Sequence, residues 1–235
     1  MKTVKILMGI LLVLLATAQV FGQKTIVTIG GSYWRGALEY DVGDSKETKA
    51  SNMIGPYLNI RSGKLILGGS MFFGSWDWSD EYQDMGYSGD YKEKRTDLNL
   101  SLGYSVHRNI SLFFAFKSMK IKEDMDLTEP WFNTRYVDDS EYSGTFMGGG
   151  ASLMFPFPRS PLFVFGSIAY LVNSGGDEMY KDINLLAYTA GLGISSRSGL
   201  SVMAGWRADE FQSKDDEGEP LKINGIMATV AFTIR

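Results

Sequence analysis

Leu98-Asn99-Leu100-Ser101-Leu102-Gly103-Tyr104-Ser105-Val106 alternates without a break: five apolar side chains are separated by four that are polar or small. A period of two puts the two sets on opposite faces of a β-strand, whereas a helix would spread both around its circumference. The pattern returns in Ile54, Pro56, Leu58 and Ile60 against Gly55, Tyr57, Asn59 and Arg61. It returns again in Leu200, Val202, Ala204, Trp206 and Ala208 against Ser201, Met203, Gly205, Arg207 and Asp209. Ile226, Ala228, Val230, Phe232 and Ile234 form the last apolar row. Ten strands are expected, at about 25–39, 51–61, 65–76, 94–106, 110–121, 143–155, 162–173, 184–196, 200–211 and 221–235, with eight and twelve as alternative counts. The third, sixth and seventh are apolar or glycine-rich on both faces, so their parity stays open.

The connections alternate in length. Ser62–Lys64, His107–Asn109, Pro156–Pro161 and Arg197–Gly199 are tight, whereas 40–50, 77–93, 122–142, 174–183 and 212–220 are long. Charge follows the same division. All but four of the 27 acidic residues lie in the long connections, the exceptions being Glu39, Asp97, Asp209 and Glu210, and each tight turn carries an arginine at or beside it. An antiparallel meander with one tight end and one long, acidic end suits a chain held in one orientation across a membrane.

The first residues agree with export. Lys2 and Lys5 precede the uncharged run Ile6–Ala16, followed by Ala16-Thr17-Ala18 and by Val20-Phe21-Gly22. A secretory signal over residues 1–22 is expected, with cleavage after Gly22 or Ala18, leaving 23–235 as a single barrel domain.

Composition excludes other classes. At 44% hydrophobic and 13% aromatic the chain is too apolar for disorder. Mean hydropathy is −0.08 and the densest apolar run beyond the signal, Leu162–Val172, falls well short of the roughly 20 residues a transmembrane helix needs. A net charge of −4 leaves no basic excess for nucleic acid, and the absence of cysteine excludes thiolate metal sites. The single histidine, His107, sits in a tight turn with no nucleophile and acid expected beside it, so no enzymatic activity and no cofactor are expected.

The signal, the ten amphipathic strands, the alternation of short turns with long acidic loops and the final strand Ile226–Ile234 resemble the small, porin-like outer-membrane β-barrel proteins of Gram-negative bacteria. The resemblance implies an antiparallel up-and-down transmembrane barrel in the cell outer membrane, with extracellular long loops and periplasmic termini. It further implies contact with outer-membrane lipid and lipopolysaccharide, and handling by the barrel-assembly machinery.

If the apolar face meets lipid, the other face lines the lumen. Parity assigns Arg35, Glu39, Arg61, Arg95, Asp97, Lys117, Arg207 and Asp209 to that lining. Trp34, Trp76, Trp78, Tyr170 and Trp206 near the long-loop ends, and Tyr104, Phe155 and Phe157 near the tight turns, are expected as aromatic girdles. Trp76–Tyr91 interleaves five aromatics with five acids, a composition that suits a sugar or another surface ligand as well as a wet loop. Three functions follow. The first is a narrow passive channel for small solutes; the second is a structural or surface-interaction protein with a plugged lumen; the third is a secreted soluble barrel with an oily, ligand-binding interior.

Overall fold

A computed structural model describes residues 25–42, 45–213 and 221–234. The expected signal segment and most of the last long connection lie outside the described residues. Eleven strands follow one another: β1 (Thr25–Val42), β2 (Ser45–Ser62), β3 (Leu65–Asp77), β4 (Ser88–His107), β5 (Ile110–Glu129), β6 (Thr134–Asp138), β7 (Glu141–Pro156), β8 (Leu162–Gly176), β9 (Ile183–Ser195), β10 (Leu200–Ser213) and β11 (Leu221–Ile234). A short helix α1 (Ser79–Asp84) precedes β4, and a 3-10 turn (Glu178–Tyr180) precedes β9. Ten strands pair antiparallel with their neighbours, and β1 pairs with β11 from Val27 opposite Ile234 to Glu39 opposite Lys222. That pairing closes the sheet into a barrel and leaves no open edge within the ring. β6 lies outside the ring, bonded to β5 alone.

Three tight turns use a left-handed residue: Gly63 (φ 58°), Arg159 (φ 60°) and Gly199 (φ 95°). The other end departs from the sequence reading. Strands expected to stop near the last apolar residue continue well past it: β1 and β2 pair as far as Val42 opposite Ser45, and β4 and β5 as far as Ser88 opposite Thr128. A backbone ladder needs no apolar side chain, so it runs on where the hydropathy signal ends. Much of what reads as loop is hairpin.

The exterior is apolar, and the interior combines polar with aromatic and aliphatic side chains. Leu102, Ile168, Val230 and Phe232 point outward and are half exposed, whereas Ser32 and Thr229 point inward and hydrogen-bond at 2.8 Å across the β1–β11 seam. On β4 the outward apolar row runs from Leu98 to Val106. At ~3.3 Å per residue and a tilt of about 40°, this row gives roughly 20 Å of height, and side-chain reach brings it to the ~25 Å band of outer-membrane barrels.

The ambiguous strands β3, β7 and β8 acquire definite faces. Inward Phe163 and Phe165 on β8 lie across inward Gly193 and Gly191 on β9, and inward Phe113 on β5 lies across Gly150 on β7. The lumen is therefore aromatic in this sector, and glycine on the next strand makes room for each ring. A Cβ at Gly193 would stand 2.2 Å from the Phe163 ring. Gly193→Ala is expected to lower stability by about 1–3 kcal/mol through overpacking. Phe163→Leu in the same chain should recover part of the loss, read by denaturant unfolding in lipid vesicles.

Candidate functional site

Five charged side chains from three strands meet inside the barrel. Arg95 and Asp97 are two residues apart on β4, so both point inward, and the guanidinium grips the carboxylate through Nε and Nη2, each at 2.7 Å. Lys117 on β5 lies 3.1 Å from Asp97 and donates to Asp209 of β10. Asp209 also lies 3.6 Å from Arg95 Nη2 and 3.4 Å from Arg207 Nη2. β10 faces β4 and β5 from across the ring, so these contacts span the lumen. Arg95, Asp97, Lys117 and Asp209 are all 2% exposed or less. Three cations against two anions leave one excess positive charge, and Nη1 of Arg95 has no acceptor among the described residues.

Aromatic rings wall this cluster. The Arg207 guanidinium lies 4.5 Å from the Trp34 ring centroid and 4.9 Å from that of Phe72, while Arg95 lies between Trp76 and Phe211 at 5.9 and 5.8 Å. This corrects the reading of Trp34 and Trp76 as girdle residues: both point inward and are buried. Their flat faces hold the guanidinium groups, and the Trp76 indole donates to the Lys49 carbonyl at 3.0 Å. Toward the long-loop end, Tyr180 folds inward from the 3-10 turn and meets Phe146 edge-on, with centroids 6.2 Å apart. Phe146 in turn meets Phe211 at 6.1 Å. Met53, Met119, Leu185 and Ile223 complete the buried layer. Toward the tight turns the lining is smaller and more polar, with hydroxyl pairs Thr28–Thr233 (3.0 Å), Ser105–Ser111 (3.2 Å) and Ser195–Ser201 (3.0 Å).

No family model matches the chain. A 142-residue stretch, 60% of this chain, is 27% identical to the clustered mitochondria protein homolog of Kluyveromyces lactis. The chain covers 10% of the length of that protein, and the likeness assigns no family. Among solved structures, the translocator domain of autotransporter NalP from Neisseria meningitidis matches with a TM-score of 0.51 over 92% of each chain, at 12% identity. The fold is that of an outer-membrane β-barrel. The outer membrane protease OmpT of Escherichia coli (TM-score 0.44, 9% identity, 89% of this chain and 94% of that one) is a more distant match. So is Ail of Yersinia pestis, solved with the heparin analogue sucrose octasulfate (TM-score 0.38, 10% identity, 90% and 99%).

On the outward face of the barrel, Tyr170 and Trp206 stand near the long-loop edge of the apolar band, and Tyr104, Phe155 and Phe157 near the tight turns, all of them exposed. Trp78 is not among them. It follows β3 and packs against the buried cluster at the long-loop end of the lumen. Two lumen assignments are also reversed. Arg35 is exposed on the outer face opposite Ile226, one outward position beyond Tyr33, and Glu39 lies on the same face beside Asn224, which donates to it. Both stand beyond the apolar band, where water solvates a charge on either face. Arg61 keeps inward parity at the tight-turn end, where its Nε donates to the Gly63 carbonyl at 3.2 Å. His107 is exposed at the end of β4, and its Nδ1 accepts from the Asn109 amide at 3.4 Å.

The aromatic and acidic segment Trp76–Tyr91 folds as a cap. Tyr82 packs edge-on against Tyr91 and Tyr87, at 5.2 and 6.1 Å. The amide and hydroxyl of Ser79 both donate to Asp77, holding its carboxyl below the usual range. Beneath this cap the β2–β3 ladder stops at Ile54 opposite Phe73. Ser51 then bridges to the Ser75 carbonyl at 2.7 Å, and the parted strands leave a surface cleft of about 520 Å³ bordered by Asn52, Asp77 and Asp90.

Proposed function

We propose that this protein resides in the outer membrane, with its long-loop end outward and both termini periplasmic, and that it is a non-enzymatic surface-interaction protein with a plugged lumen. The observation that carries the reading is the burial of Arg95, Asp97, Lys117 and Asp209 where they meet across the lumen, beneath Tyr180 and Phe146. Wall charges that select solutes must be wetted by the path the solutes take, and charges this deeply buried have each other as partners instead. The apolar band supports contact with outer-membrane lipid and lipopolysaccharide, and the fold supports handling by the barrel-assembly machinery. The extension of the hairpins beyond the band at one end supports a role on the outer surface.

A narrow passive channel is the second reading, favoured by the hydroxyl-lined mouth around Thr28, Ser105 and Ser201. One measurement decides between the two. Purified, folded protein in a planar bilayer is expected to give no discrete openings; regular unitary openings by the wild-type chain would overturn the plugged reading.

A further inference from the structure

Beyond the apolar band the sheet is no longer closed. The outer part of β5 is paired on one side by Ser88–Lys92 of β4 and on the other by β6. β6 continues the register of β7 along β5, with Met125 opposite Asp138 and Lys122 opposite Glu141. β8 reaches no further out than Gly176 opposite Gly144. From Thr134 to Asp138, therefore, β6 has β5 on one side and no strand on the other among the described residues. The opposite edge of this projecting sheet is covered: the Trp78 amide donates to the Tyr91 carbonyl at 2.8 Å, and Tyr82 of α1 packs on Tyr91.

A free edge presents unpaired N–H and C=O groups, and proteins that do not use such an edge blunt it with short strands, charged side chains, lysine above all, proline or a bulge. Thr134-Arg135-Tyr136-Val137-Asp138 carries neither lysine nor proline. Its one cation, Arg135, is tied back to Asp126 by hydrogen bonds of 2.8 and 2.7 Å. At the tip of the same hairpin Trp131 is 85% exposed and Phe132 78%, more than any other large apolar side chain among the described residues. Residues 122–142 also hold seven acids; Asp124, Asp126, Asp139 and Glu141 pair with Lys94, Arg135, Lys122 and Lys120, and Glu123, Glu129 and Asp138 have no ion pair among the described residues.

We propose that the β5–β6 hairpin docks an extended, cationic polypeptide segment, which adds to β6 as a strand and is anchored by Trp131 and Phe132. Each property of the hairpin selects part of that partner. The open backbone edge takes another backbone, the aromatic pair supplies the kind of anchor that dominates binding energy, and the acids favour basic side chains. The same acids repel an anionic lipid surface. A second copy in the same membrane fits poorly, because it shares the orientation along the membrane normal. Two β6 edges would then meet parallel, with both sets of acids brought together.

The inference rests on the surface-interaction reading above, and its test uses purified full-length protein in a non-ionic detergent. The probe is a synthetic ten-residue peptide of alternating lysine and valine. Saturable binding is expected, weakened about tenfold or more in a Trp131→Ala/Phe132→Ala variant whose circular dichroism matches wild type. Replacing the valines of the peptide by proline keeps its charge but prevents strand addition, and should abolish binding. Absence of saturable binding would overturn the proposal, as would equal binding by the proline peptide or by the variant. It would also fall if the tip bound zwitterionic vesicles while the peptide did not bind. A protein that binds the peptide yet opens discrete channels loses the plugged lumen and keeps the docking edge; one that is silent and binds nothing loses the edge alone.

Discussion

Asp209→Ala is expected to destabilise the folded barrel by about 3–5 kcal/mol, because it strips a buried cluster of the anion that three cations share. Asp209 is fully buried and accepts from Lys117, with Arg207 at 3.4 Å and Arg95 at 3.6 Å. Without it, three positive charges face Asp97 alone, in a region where protein, not water, surrounds them. The Lys117→Met/Asp209→Leu double variant is expected to lose much less than either single change. It removes one charge of each sign and leaves Arg95 on Asp97 and Arg207 between Trp34 and Phe72. Urea unfolding in lipid vesicles, followed by tryptophan fluorescence, measures all three. If the single Asp209 variant were as stable as wild type, the carboxylate would be solvated, and the plugged lumen would lose its main support.

The strand pattern was legible because two different solvents sort the side chains. Between Leu98 and Val106 every position is either apolar and outward or polar or small and inward, which is the sorting that a bilayer outside and a packed interior would impose. Where side chains do not sort, alternation alone does not fix which face points inward. In Gly30-Gly31-Ser32-Tyr33-Trp34-Arg35 the glycines mark no face and Tyr33 and Trp34 are both amphipathic, so the charge of Arg35 suggested an inward position for it and an outward one for Trp34. The arrangement is the reverse, since Trp34 stacks on Arg207 inside and Arg35 stands beyond the apolar edge.

The composition of the charged cluster was largely readable, but its pairing was not. Lys117 and Asp209 are 92 residues apart and approach only because the ring closes. The cap residue Tyr180 and the edge strand β6 carried no signal at all. Both belong to segments rich in acids, which read as wet loop, although one inserts a ring into the barrel mouth and the other continues its ladder.

Val230→Arg carries the second large effect and tests which face meets lipid. Val230 is half exposed on β11, midway along the outward row from Ile226 to Ile234, with Gly31 and Val202 opposite it on the flanking strands. If a bilayer surrounds the barrel, an arginine there is expected to cost about 2–4 kcal/mol of folding stability, whereas Ile226→Arg should cost about 0–1 kcal/mol. The chain itself supplies the reference for the smaller figure, because Arg35 is paired with Ile226 and occupies that depth on the neighbouring strand. Four residues along a strand tilted at about 40° place Val230 roughly 10 Å deeper. Snorkelling from there must cover that distance before the guanidinium reaches water. Unfolding of both variants in vesicles gives the two values. A secreted barrel with a ligand-binding interior would show the opposite response, since an arginine on its wet exterior changes little at either position. Equal, small costs at Val230 and Ile226 would therefore remove the bilayer from the account of this fold.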